Sequence, residues 1–323
     1  METFTLTRLA LTISAAAALL AGCGGSQPPI GAPGAMRQGR MITTRAGHSG
    51  SWVLPEAKGQ TLIYATDGCG GTCVLSYASG EVVGELDVGG GVSGACVDGE
   101  GNVYISNSTE VVEYAHGGTN SIATFKVPGT RAGGCSVDPT TGNLAVQFLG
   151  TSGNIAVFPK GSDTPTLYQS NAADGFACAY DEHGNLFASG FNNDQSSLTE
   201  LPSGGSAFHP VSMPDVGFPG QIQWTAQDLA YETVGKGHTF VYRLSITGST
   251  AAVVGKTHIV GPLWSFYSWI YNHKIIVPFA GHGKYHSRAQ NVGVWSFPKG
   301  GRVIKEYKHF DDADFQAVVV SPG

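Results

Sequence analysis

Side chains suited to chemistry are densest in the segment Gly281-His-Gly-Lys-Tyr-His-Ser-Arg288, which carries His282, Lys284, Tyr285, His286 and Arg288. Imidazole, ammonium, phenol and guanidinium groups held together form a cationic, hydrogen-bonding patch suited to an anionic or carbohydrate ligand. Lys236 and His238 would extend that patch from a neighbouring loop. His282 and His286 also have an H-x3-H spacing, with Asp67 or Asp311 as further metal donors. That spacing converges on an ion mainly when it lies on a helix, and the glycines flanking His282 argue for a loop. An exposed loop with no ligand is the plainer alternative, so no metal site is assigned.

The cysteines allow a second kind of chemistry. Cys69 and Cys73 enclose Gly-Gly-Thr between two strand-like runs, a loop short enough to be closed by a disulfide. The rival is half of a metal site, but no second Cys or His pair is spaced to complete it. Cys135 and Cys178 each stand three residues before an aspartate, and Cys96 stands two before its own. Neighbouring strand positions point to opposite faces, so these cysteines read as small buried hydrophobes between sheets. Asp98-Gly-Glu-Gly-Asn102, Asp138-Pro-Thr-Thr-Gly-Asn143 and Asp181-Glu-His-Gly-Asn185 read as turns rather than calcium loops. No G-x-S-x-G, H-E-x-x-H, Walker or dinucleotide fingerprint occurs, so no catalytic residue and no cofactor is assigned.

The elements that must carry these residues are repeats. Tyr77-Ala-Ser-Gly80, Tyr114-Ala-His-Gly117, Phe158-Pro-Lys-Gly161, Leu201-Pro-Ser-Gly204 and Phe297-Pro-Lys-Gly300 share one pattern, and Ser245-Ile-Thr-Gly248 is a degenerate sixth copy. Their glycines lie 37, 44, 43, 44 and 52 residues apart, each between short β-rich runs, as hairpin turns require. The Asp-Gly-Asn turns are phased with them, and Trp224 and Trp269 take the corresponding place in later repeats. Four strands per repeat at this period predict an all-β fold, a six-bladed β-propeller of four-stranded blades over residues 48–323. The run Phe315–Pro322 is expected to complete the first sheet, with Trp52–Leu54 competing for that place. The irregular loops share one face of such a ring and the repeated turns the other, and a ligand is expected on the irregular face.

GACVDGEGNVYISN, GGCSVDPTTGNLAVQF and FACAYDEHGNLFASG resemble NHL-type repeats. The chain as a whole resembles bacterial lipoproteins with a six-bladed NHL- or gluconolactonase-like (TolB-like) propeller. The resemblance implies a fold and no particular reaction. Gluconolactonase-like relatives would place a divalent ion over the axis with a Glu and Asn or Asp ligands. Asp174 is the best positional match here, and no inner-strand glutamate is evident.

At the N-terminus, Arg8 precedes an alanine-rich apolar stretch, Leu9–Leu20, too short for a membrane span and suited to a signal peptide over residues 1–22. Leu20-Ala21-Gly22-Cys23 resembles a bacterial lipobox, which implies lipidation of Cys23 and cleavage before it. Gly24 in the following place implies outer-membrane delivery in a Gram-negative cell. Residues 23–47, rich in Gly, Pro, Ser and Ala, read as a lipidated flexible tether. A net charge of −6 supplies no basic field for nucleic acid. Glycine is abundant, with 47 in 323 residues, and charged side chains are only 13% of the chain, which excludes helical bundles and disordered chains. The expected function is a membrane-anchored, extracytoplasmic binding or scaffold module for a protein, carbohydrate or small molecule. The alternative is a metal-dependent lactonase- or lyase-like propeller enzyme.

Overall fold

Alternation along each strand sorts apolar side chains between two neighbouring cores. On Leu62–Gly68, Leu62 and Tyr64 pack into one buried cluster while Ile63 and Ala65 pack into another. Side chains of period two must part in this way, so each sheet is buried on both faces. Six such clusters form, each drawn mainly from two consecutive sheets, and they follow one another around a closed ring. The scarcity of charge has the same cause: few strand positions reach water.

The structure is a computed structural model. It describes residues 50–323 apart from 130, 152–153, 173, 194, 236–237, 262–264, 266, 281–288, 308–309 and 311–312, and gives only the backbone of residues 151, 235 and 238. It is an all-β, six-bladed propeller whose blades are four-stranded antiparallel sheets, two of them with an added edge strand. From the axis outward, blade 2 runs Gly94–Val97, Val103–Ser106, Glu110–Tyr114 and Ser121–Lys126. Blade 3 begins at Ala132–Val137 and ends at Thr166–Gln169. Blade 4 runs from Asp174–Tyr180 to His209–Val211, with Gly150–Thr151 added at its inner edge. Blade 5 spans Phe218–Thr225 to Thr250–Ile259, and blade 6 spans Trp269–Tyr271 to Lys305–Tyr307. Among the described residues the only helical element is the short 3-10 turn Pro55–Gly59, and no helix is long and apolar enough to cross a membrane.

Blade 1 joins the two ends of the propeller. Val318–Ser321 pairs with Leu62–Gly68 as the inner strand, with Leu62 opposite Ser321 and Ala65 opposite Val318. Trp52–Val53 pairs instead with Val82–Leu86 at the outer edge. The two segments therefore never compete, because the sheet has two free edges and each takes one. All six signature glycines adopt the left-handed backbone their turns need, with φ between 56° and 80°.

One expectation about the cysteines is corrected. Cys96 and Cys135 are not separate small hydrophobes but a disulfide between blades 2 and 3, with Cα atoms 5.5 Å apart. Their one-residue offset, which spoils a simple ring, is what turns Cys96 toward blade 3 and Cys135 toward blade 2. Cys69 and Cys73 are also bonded to each other, and Cys178 is free and buried.

Candidate functional site

Cys23, Lys236, His282, Lys284, Tyr285, His286, Arg288 and Asp311 lie outside the described residues, and of His238 only the backbone, which opens the strand His238–Thr247, is described. Asp67 sits at a strand end with a φ of 61°, its carbonyl accepting the Asp314 amide at 3.0 Å. Among the described residues no group of three or more His, Cys, Asp or Glu side chains converges as a metal site would require.

Two side chains from one short segment, Tyr267 and Trp269, reach across the propeller axis. Trp269 belongs to blade 6, yet it packs against the cores formed by blades 6 and 1, blades 1 and 2, and blades 2 and 3. A side chain can touch all of these only by reaching across the channel. Tyr267, two residues earlier and so pointing the same way, donates its hydroxyl to the Phe176 carbonyl of blade 4 at 2.8 Å. A Cβ at Gly134 would lie 3.1 Å from the Tyr267 ring, so blade 3 yields room for that ring through a residue without a side chain. In strand register Trp224 stands one residue, and Trp269 two, before the place of the turn aspartates, which corrects the alignment expected from spacing alone.

Glu232 holds this segment in place. It lies on the second strand of blade 5, is 1% exposed, and accepts hydrogen bonds from Ser265 Oγ at 3.0 Å, Ser268 Oγ at 2.9 Å and the Ser268 amide at 3.2 Å. Burial nevertheless wins over these donors and pushes its carboxyl from the ordinary 4.5 up to about 7. Folded protein therefore keeps a proton that unfolded chain has lost. The associated stability is complete below about pH 4.5 and disappears as pH rises through about 7. That difference corresponds to about 3 kcal/mol. Denaturant unfolding at pH 5 and pH 8 should show this loss in the native protein. Glu232→Gln, which cannot ionise, should lose less than about 1 kcal/mol over the same interval. Ser106, Gln147 and Ser189 occupy the same repeat phase and are also buried, so a polar residue recurring on an apolar strand was the available sign.

A concavity lies on the face of the repeated turns, opposite the irregular loops where a ligand was expected. It has a volume of about 820 Å³ and is walled by the turns of blades 2, 3 and 4, with Trp224 and Trp269 also among its lining residues. The turn aspartates are engaged by their own loops. Asp98 Oδ1 accepts the Glu100 and Asn102 amides at 2.9 and 2.8 Å, Asp138 Oδ1 accepts the Thr140 amide at 2.8 Å, and Asp181 Oδ1 accepts the His183 and Asn185 amides at 2.9 and 2.8 Å. This is the turn chemistry expected of Asp and Asn, and it leaves three fixed negative charges around one opening. Glu113 faces the same space, its carboxyl raised by burial and further by Asp98 and Glu100. Gln221, also among the lining residues, is 4% exposed, and its Oε1 has no hydrogen-bond partner.

Three solved structures share this architecture. A chain from the crystal structure of a nidogen/laminin complex superposes with a TM-score of 0.63 at 13% identity, covering 81% of this chain and 98% of that one. The likeness is one of fold. A protein of unknown function from Bacteroides caccae gives 0.60 at 11% identity, covering 81% and 99% of the two chains. Kuenenia stuttgartiensis hydrazine synthase gives 0.50 at 14% identity over 66% of this chain and 65% of that one. No protein-family model matches the chain, and no curated protein matches its sequence.

Proposed function

We propose that this protein is a binding module of the bacterial cell envelope, tethered by a lipid at Cys23 on the extracytoplasmic side, at the outer membrane where a cell has two. In this reading residues 1–22 are removed as a signal peptide, and residues 23–47 link the lipid to the propeller. The run Leu20-Ala21-Gly22-Cys23 supports the tether, and the NHL-like turns of blades 2 to 4 support kinship with propellers of bacterial lipoproteins. The observation that carries the binding role is the cavity of about 820 Å³ set in a rigid ring, a concave site of the size small ligands occupy. A propeller of similar fold, in the nidogen/laminin complex, is part of a protein–protein assembly, and a protein partner suits this one as well.

Expression of the full chain in a bacterium tests the tether. The native protein should partition with membranes and carry an acylated N-terminal cysteine, whereas Cys23→Ala should be neither cleaved at that site nor acylated. Native protein recovered wholly as a soluble, unacylated species would overturn the anchoring. A small-molecule or peptide ligand that raises the unfolding temperature tests the binding role, and the gain in stability grows with the logarithm of ligand excess over Kd.

A further inference from the structure

We infer that the turn-face cavity is a binding site for an organic cation, an alkylammonium or guanidinium group set against aromatic rings inside a field of carboxylates. The inference rests on the binding-module reading and names the ligand class that this cavity would take. Among the described residues, six acidic side chains belong to the cavity lining, and Lys160 is the only Lys, Arg or His there. Lys160 is itself drawn toward Glu100, at 3.9 Å, on the exposed rim. The net field is strongly negative, and clefts lined by one sign of charge concentrate ligands of the other. An anion is repelled.

The choice between a metal ion and an organic cation follows from how the oxygens are used. Hard metal ions need several oxygens in direct contact at short range. Here Asp98, Asp138 and Asp181 spend their lone pairs on the amides and hydroxyls of their own turns. They supply charge without supplying coordination. An alkylammonium or guanidinium group needs only that charge, an aromatic face and a few acceptors. Trp224 and Trp269 provide the face, and such contacts contribute more where water is excluded.

Gln221 is the independent observation. It is among the residues lining the same cavity, its side-chain oxygen is buried without a partner, and an unmatched buried acceptor costs roughly 1–3 kcal/mol. What it lacks is a donor, and the N–H groups of an organic cation are donors only. Trp224 Nε1, equally buried and unpartnered, lacks an acceptor. A carbonyl placed beside the cation would satisfy it, as in a peptide carrying Lys or Arg.

Calorimetric titration of the full chain tests this with three probes: spermidine, a blocked Gly-Arg-Gly peptide, and a neutral disaccharide. At least one cationic probe should bind, and its affinity should fall several-fold as salt rises from low to physiological strength. Spermidine alone would identify a free polyamine as the source of the cation, and the peptide alone a basic segment of another protein. Combined Glu100→Gln, Glu113→Gln and Glu182→Gln, which spare the turn aspartates, should weaken binding about tenfold. Gln221→Leu should weaken it several-fold, with circular dichroism confirming an unchanged fold. Cation binding indifferent to both variants would place it elsewhere and overturn the inference. Binding of the disaccharide alone would overturn the cation and leave the binding module standing. No binding by any probe would overturn the cation inference and deprive the cavity of its support for the module.

Discussion

A chain ending at Ala317 is expected to show no cooperative unfolding transition. The deletion removes Val318, Val319 and Val320, all at most 1% exposed, together with the buried Ser321. Burial of three valines contributes roughly 5–9 kcal/mol, comparable with the whole stability of an ordinary domain. The loss does not end there. Leu62–Gly68 would become an unpaired inner edge, open to pairing with another chain. Valines 318 and 320 belong to the core between blades 6 and 1, and Val319 to the core between blades 1 and 2, so two of the six interfaces are opened. Thermal melts by circular dichroism, with dye binding as a measure of exposed apolar surface, would show a broad, non-cooperative trace. A rearranged chain separates lost sequence from lost closure. Gly323 approaches Gln60 so closely that a Cβ on it would lie 2.7 Å from the Gln60 carbonyl oxygen. Moving residues 318–323 ahead of Gln60 through a short linker supplies the first-to-second-strand turn that blade 1 lacks. This version should regain a cooperative transition, and its failure would show that closure is not what the strand contributes.

The ring was legible because it depends on local chemistry repeated six times. Each signature glycine marks a turn that needs positive φ, and each strand alternates between two cores, so period and phase reveal the number of blades. What resisted reading depends on contacts made only when the ring closes. Trp269 carries no sign in the sequence that it spans the axis to touch the cores on the far side, and spacing alone aligns it with a turn. Glu232 follows three apolar residues, Leu229, Ala230 and Tyr231, and nothing local says that Ser265 and Ser268 will meet it. The cavity was missed for a related reason. Loops that vary in length attract attention, whereas this site is walled by the turns that repeat, and their aspartates become a common negative field only when three blades stand side by side. The cysteine offset was visible, but its meaning requires knowing that adjacent blades present opposite faces to each other.

That offset leads to an expected gain in stability from a single substitution, Ser136→Cys. In strand register Cys96 stands opposite Tyr104, and Ser136 holds the equivalent place opposite Ala145. Cys135 opposes Val146, and Cys178 is its equivalent in blade 4, opposing Ala188. The surroundings repeat as well: Cys135 Sγ lies 3.8 Å from the Tyr104 carbonyl, and Cys178 Sγ lies 3.7 Å from the Ala145 carbonyl. Blades 3 and 4 thus hold half of the staple that joins blades 2 and 3, with a serine where the second cysteine would be. Closing the 42-residue separation between positions 136 and 178 would restrict the unfolded chain by about 4 kcal/mol on the chain-entropy account. Loss of the hydrogen bond from the Tyr180 amide to Ser136 Oγ, 3.0 Å long, returns about 1 kcal/mol. The net gain should raise Tm by roughly 6–12 °C. The Cys178 thiol is fully buried and pushed up to about 12, so it is unreactive once folded, and the bond must form during oxidative refolding. Thiol titration under denaturing conditions should then count one free cysteine fewer than in the native protein, and reductant should abolish the gain in Tm. One additional free thiol with unchanged Tm would show that the blade 3–4 interface does not repeat the geometry of its neighbour.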